Sequence, residues 1–132
     1  MRNVNEYWFQ NIDNFAMLPK ALFANPRYKD LNSDDIVLYS LMVDRMSLSL
    51  KNKGFRYNDD IFVYFPIKEI KEILKCSNTK AERTLENLQR AGLIFKKRMG
   101  LGKPSMIIPL PYEEYKVDEN DTLSFDPESD ND

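Results

Sequence analysis

The chain has 132 residues, 42% apolar and 30% charged, which suits one domain of ordinary size with its own core. One cysteine and no histidine exclude an intrachain disulfide, Cys/His zinc sites, and the Ser-His-Asp and Cys-His nucleophile systems. A formal net charge of −2, no run of 18 apolar residues and no signal peptide at Met1–Asn5 describe a cytoplasmic domain with no cofactor, no metal and no membrane partner, and not an enzyme.

Residues 1–30 are rich in aromatics (Tyr7, Trp8, Phe9, Phe15, Phe23, Tyr28) and broken by Leu18-Pro19 and Asn25-Pro26, so irregular structure is expected, with a short helix near Lys20–Ala24. Asn32-Ser33 offers capping side chains ahead of Asp34 and Asp35. Behind them Leu38, Leu41, Met42 and Met46 follow helical spacing, which predicts a first long helix over Ser33–Ser49. Gly54 and the Asn58-Asp59-Asp60 turn bracket Phe55–Tyr57, and Ile61–Phe65 reads as a strand, one arm of a hairpin. Pro66 suits a helix start, and Ile67, Ile70 and Leu74 mark one face of a short helix ending near Cys76. Ser77 caps a third helix whose buried stripe is Ala81, Leu85 and Leu88, with Gly92 as its stop. Leu93–Arg98 and Ser105–Leu110 are expected strands around the basic, glycine-containing loop Met99–Pro104.

The net charge conceals two unlike parts. Residues 113–132 hold nine acids against Lys116, a balance of −8, so residues 1–112, with 18 basic and 12 acidic groups, stand at +6. The expected organisation is therefore a folded, basic domain over 1–112 and an acidic, disordered linker or tail over 113–132. An alternative for the tail is an arm that folds back on the basic surface and competes with polyanions. Its position also suggests a fragment, cut in a linker before a further C-terminal domain.

Helix, strand, short helix, tight turn, longer helix, strand, basic loop, strand is the order of a winged helix-turn-helix, an α+β fold with a basic β-hairpin as its wing. On the third helix Asn78, Thr79, Lys80, Arg83 and Asn87 are nominated for base contacts, with Ser77 and Thr84 at the start or flank. Arg and Lys suit guanine and Asn suits adenine in the major groove. In the wing Lys96, Lys97, Arg98, Gly100, Gly102 and Lys103 are nominated, the cations toward phosphate or the minor groove and the glycines for close backbone approach. A solvated helix face and an edge-blocking charged hairpin are the plain alternatives, weakened when both features fall on neighbouring elements. Gly100-x-Gly102-Lys103 lacks the strand-to-helix setting of a phosphate-binding loop, and Cys76 reads as a buried, inert packing residue.

The run Phe15-Ala16-Met17-Leu18-Pro19-Lys20-Ala21-Leu22-Phe23-Ala24-Asn25-Pro26-Arg27-Tyr28, continuing to Leu31, is similar to the opening of the RepA_N plasmid replication initiators. So are Leu38–Ser49 and Gly92–Pro104, in the family's order. This resemblance implies a winged-helix N-terminal domain that binds repeated double-stranded DNA sites in a plasmid replication origin. It implies a homodimer, with higher assembly on DNA, and host replication proteins engaged only through a C-terminal domain missing here. The family's DNA-contacting elements map onto Ser77–Asn87 and Lys96–Lys103. Other readings are a winged-helix transcriptional repressor and a protein-docking winged helix, the latter drawing on Tyr7, Trp8 and Phe9, for which dimer contacts and core packing are the alternatives.

Overall fold

The computed structural model describes residues 4–51 and 56–115, so the acidic segment 116–132 and Gly54 lie outside the described residues. The chain opens with helix α1 (Val4–Asn11), where irregular structure was expected. None of its residues is buried, so it carries no core-facing stripe from which a helix could have been read. Helix α2 (Ala21–Ala24) and a 3-10 turn over Pro26–Tyr28 follow, the turn capped by Asn25, whose side chain accepts from the Arg27 N–H.

Helix α3 (Ser33–Lys51) begins with a reciprocal pair of hydrogen bonds. The Asp35 N–H donates to Asn32 Oδ1 and the Asn32 N–H donates to Asp35 Oδ2, both at 3.0 Å, so two otherwise unpaired donors are satisfied at once. Ile36, Leu38, Tyr39 and Met42 are buried along its inner side.

Strands β1 (Arg56–Tyr57) and β2 (Asp60–Ile61) pair antiparallel across Asn58 and Asp59. Both turn residues have positive φ, 50° and 71°, the backbone of a two-residue hairpin turn, which Asn and Asp tolerate better than most residues. The expected strand Ile61–Phe65 is divided at Phe62. Its first part serves this small hairpin, while β3 (Val63–Tyr64) pairs with a different strand near the C-terminal end.

Helix α4 (Ile67–Leu74) follows Pro66 and ends at Lys75, which takes the left-handed conformation with φ 53°. Helix α5 (Asn78–Arg90) starts at the Ser77 cap, whose Oγ accepts from the Lys80 N–H. It ends in a Schellman arrangement: the Leu93 N–H donates to Leu88 O at 2.9 Å and the Gly92 N–H to Gln89 O at 3.0 Å. Gly92 has φ +77°, which a side chain would strain.

Strands β4 (Ile94–Lys97) and β5 (Met106–Pro109) form an antiparallel hairpin, and β3 adds to its other edge in the order β3-β5-β4. The register sets Lys96 opposite Ile107 and Lys97 opposite Met106. Alternation therefore sends Val63, Ile94 and Ile107 toward the helices, where they join Leu38, Met42, Ile70, Leu85 and Leu88 in the main core. Met106, Ile108 and Phe62 form a second cluster on the opposite face, backed by Tyr57 and Tyr64.

One polar brace holds α3, α4 and β3 together. The Arg45 guanidinium makes a two-pronged ion pair with Glu69, donates to Tyr64 O at 2.7 Å and lies 3.9 Å from the centre of the Phe65 ring.

Candidate nucleic-acid interface

The tight turn between α4 and α5 decides which side of α5 faces out. Cys76, half-buried rather than fully buried, packs against the main core there. Ala81, Thr84, Leu85 and Leu88 then form an inward stripe at helical spacing. Thr84 is only 2% exposed, and its hydroxyl donates to the Lys80 carbonyl at 2.8 Å. Its expected place on the exposed flank is thus corrected: the methyl packs inward and the hydroxyl is satisfied within the helix.

Two further nominees are held by the protein itself. Asn87 is half-buried, and its Nδ2 donates to both Asp35 oxygens, at 3.2 and 3.4 Å. Instead of standing free opposite the core stripe, it ties α5 to the first turn of α3. Burial raises the Asp35 carboxyl above its usual range, against the hydrogen bonds from Asn32 and Asn87, which favour the ionised form. The Lys80 ammonium is paired with Asp34, and that hydrogen bond and charge raise its pKa.

Ser77, Asn78, Thr79 and Arg83 remain exposed along the N-terminal half of α5. Arg83, Asn78 and Thr79 make no side-chain hydrogen bond or ion pair with the described residues, so their donors face solvent. Of the three consecutive hairpin cations, alternation separates Lys96 and Arg98 from Lys97. The Lys97 ammonium donates to the Tyr57 hydroxyl and lies 4.3 Å from the centre of that ring, on the β1–β2 side. Lys96 and Arg98 instead line an open groove of about 520 Å³ between β4 and α5, with Leu85, Glu86, Gln89 and Arg90 completing its walls. Three cations against one carboxylate leave this groove positive. Gly100 and Gly102 have φ +112° and +76°, and Lys103 is exposed beyond them.

Reasoning from sequence had not nominated Arg90, Gln89 or Glu86. Arg83, Glu86 and Arg90 are spaced three and four apart on one face, a signal present in the chain, but their value comes from β4 lying alongside. Arg90 also borders a second recess of about 300 Å³ with Arg27, Tyr28 and Asn87. Nearby, the Arg27 guanidinium pairs with Glu113 at 3.1 Å, the Glu113 N–H donates to the Tyr28 hydroxyl, and Asn25 Nδ2 donates to Glu113 O. Glu113, assigned by sequence to the tail, is docked on the body by these three contacts.

At the other end of the chain Tyr7, Trp8 and Phe9 of α1 are between 60% and 72% exposed, so they are not core residues of a single chain. Among the described residues no group of three or more Cys, Asp or Glu side chains is arranged to hold a metal ion. No described helix is long and apolar enough to cross a membrane.

Comparison with known proteins gives concordant matches. Residues 14–124 match the family described as "Replication initiator protein A (RepA) N-terminus". A "41 kDa protein" of Lactobacillus helveticus is 34% identical over 84 residues, covering 64% of this chain and 24% of that protein; the match thus spans about a quarter of the relative's length. Three solved structures are similar over 92% of this chain. One described as "Structure of Rep-DNA complex" has TM-score 0.65, 29% identity and 88% of its chain covered. Another, "N-Terminal domain of DNA binding protein", has TM-score 0.64 at 29% identity and 88% coverage. The third, "Structure of MDR initiator", has TM-score 0.62 at 28% identity and 91% coverage.

Proposed function

The chain belongs to the RepA_N family of replication initiator N-terminal regions, and from that membership we propose that it is the DNA-binding part of a plasmid replication initiator, acting in the cytoplasm without catalysis. Its partner is double-stranded DNA carrying repeated sites in a replication origin. The fold is used as a winged helix-turn-helix: α4 and α5 form the helical pair, and the β4–β5 hairpin is the wing.

The observation that carries this reading is the adjacency of two solvent-facing surfaces. The exposed Arg83, Asn78 and Thr79 face of α5 stands next to a groove and hairpin bearing Arg90, Lys96, Arg98 and Lys103. A helix in the major groove with cations along the neighbouring phosphates needs that juxtaposition. Similarity to a chain solved in a Rep-DNA complex supports it.

Within this reading Arg83 contacts a base, Asn78 and Thr79 flank it, and the Ser77-capped helix start holds a phosphate. Arg90, Lys96, Arg98 and Lys103 neutralise the backbone. The exposed aromatics of α1 suit contact with a second copy, as twofold proteins reading paired half-sites require. Host replication proteins would be engaged by a part of the initiator other than this one.

A salt-titrated binding assay on a candidate origin fragment and a scrambled control tests the proposal. Preference for the origin, with affinity falling steeply as salt rises, is expected. Equal, weak binding to both fragments would contradict sequence-specific recognition.

A further inference from the structure

The tip of the wing carries a side chain that electrostatics does not explain. Leu101 is 104% exposed, the most exposed large apolar residue among the described residues, and it stands between Gly100 and Gly102. The Lys103 N–H donates to Gly100 O at 3.2 Å, which closes a four-residue turn with Leu101 second and Gly102 third. A φ of +76° at the third position is that of a type II turn, in which Gly is strongly favoured. The tip is therefore a defined turn that presents one leucine outward.

Neither glycine is there to avoid crowding. A Cβ built at Gly100 or Gly102 meets no atom within 4 Å, so the glycines serve the backbone turn and leave the tip narrow on both sides of Leu101. Arg98 and Lys103, both exposed, flank it at the base of the loop. The body behind is fixed by β4–β5 pairing and by burial of Met106, Ile107 and Ile108.

We propose that Leu101 is a wedge that enters the minor groove and partly unstacks a base step, with Arg98 and Lys103 on the phosphates at either side. The inference rests on the DNA-binding reading above and names a specificity-determining residue within it. Three features of the tip favour this occupant over a protein surface. The apolar element is one fully projecting side chain, with the less exposed Met99 (38%) two residues before it, its carrier is a narrow hairpin, and its charged neighbours are cations. Apolar wedges of this size unstack and kink duplex DNA in minor-groove binders, and deformable steps then become preferred without any hydrogen bond to a base.

The test uses the 132-residue chain and a duplex that it enriches from a random-sequence pool, carrying 2-aminopurine in turn at each adenine of the protected region and dyes at its two ends. With the wild-type chain, one position beneath the wing gains fluorescence and the ends draw together. Leu101→Ser loses both signals and binds about tenfold more weakly with an unchanged salt slope, because no phosphate contact is removed. Leu101→Met restores them, and melting of Leu101→Ser matches that of wild type, since the side chain packs on nothing. Unchanged signals in Leu101→Ser overturn the wedge. So does a wild-type complex with no fluorescence gain, or a Leu101→Ser variant whose main defect in sedimentation is loss of a dimer. If the wild-type chain enriches no duplex at all, the DNA-binding reading falls and the wedge with it.

Discussion

On α5, Lys80, Thr84 and Asn87 turn their polar groups back into the protein, toward Asp34, the Lys80 carbonyl and Asp35. On the adjacent hairpin, the Arg98 and Lys103 side chains make no hydrogen bond or ion pair with the described residues, whereas Lys97 is held by Tyr57. A helix that must present one face at a defined angle uses part of its polar surface to fix its own position. A hairpin proposed to follow a phosphate backbone keeps its charges free. Under the proposed role, polar side chains on α5 thus divide into those that set its pose and those left to read DNA, and only the packing around them tells which is which.

The sharpest way to break that division is to remove the group that anchors α5. Asp35→Ala deletes the acceptor of the α3 cap and strands the Asn87 amide, so folding stability falls by about 3 kcal/mol in urea titration. A loss under about 1 kcal/mol would mean that the inward bonds hold little.

Alkaline pH probes the other end of the same framework. Tyr39 of α3 is 2% exposed and its hydroxyl donates to Leu110 O just beyond β5; burial, then the neighbouring Tyr112 and Tyr28, pushes its pKa from 10.0 up to about 12. Below pH 10 the hydroxyl stays protonated in both states. Between pH 10 and 12 the unfolded chain gives up the proton first, so stability falls across that window by about 2 kcal/mol. In Tyr39→Phe this part of the decline disappears, as urea midpoints measured from pH 9 to 12 would show. An equally steep decline in the variant would contradict the assignment.

The hairpin side predicts a smaller and more uniform effect. Lys103→Ala lowers affinity alike for origin and scrambled DNA and reduces the salt slope by about one, with no change in base preference. A shift in preference would make Lys103 a reader and erase the contrast with α5.

Much of this fold was legible in the chain because its cues are local. Asn32, Ser77 and Gly92 punctuate the helices, and the Ile67–Ile70–Leu74 and Ala81–Leu85–Leu88 stripes are periodic. Helix α1 was missed because its apolar residues face outward, so no inward stripe exists to read. The split of Ile61–Phe65 depends on two different partners, Arg56–Tyr57 and Met106–Ile107, one of them more than forty residues away. The same holds for the candidate site. Thr84 and Asn87 look like reading residues by type, but the first is turned inward beside Ala81 and Leu85, and the second is paired with Asp35, 52 positions earlier. Arg90 went unnoticed because its groove exists only once β4 packs beside α5.

The most direct test of the central claim is to profile base preference for Arg83→Ala and Asn87→Ala side by side, over all single-base variants of one bound duplex. Arg83→Ala should relax preference at one position and cost about 1–3 kcal/mol there. Asn87→Ala should melt earlier yet keep the wild-type preference at every position. Loss of an adenine preference in a fully folded Asn87→Ala would contradict the account.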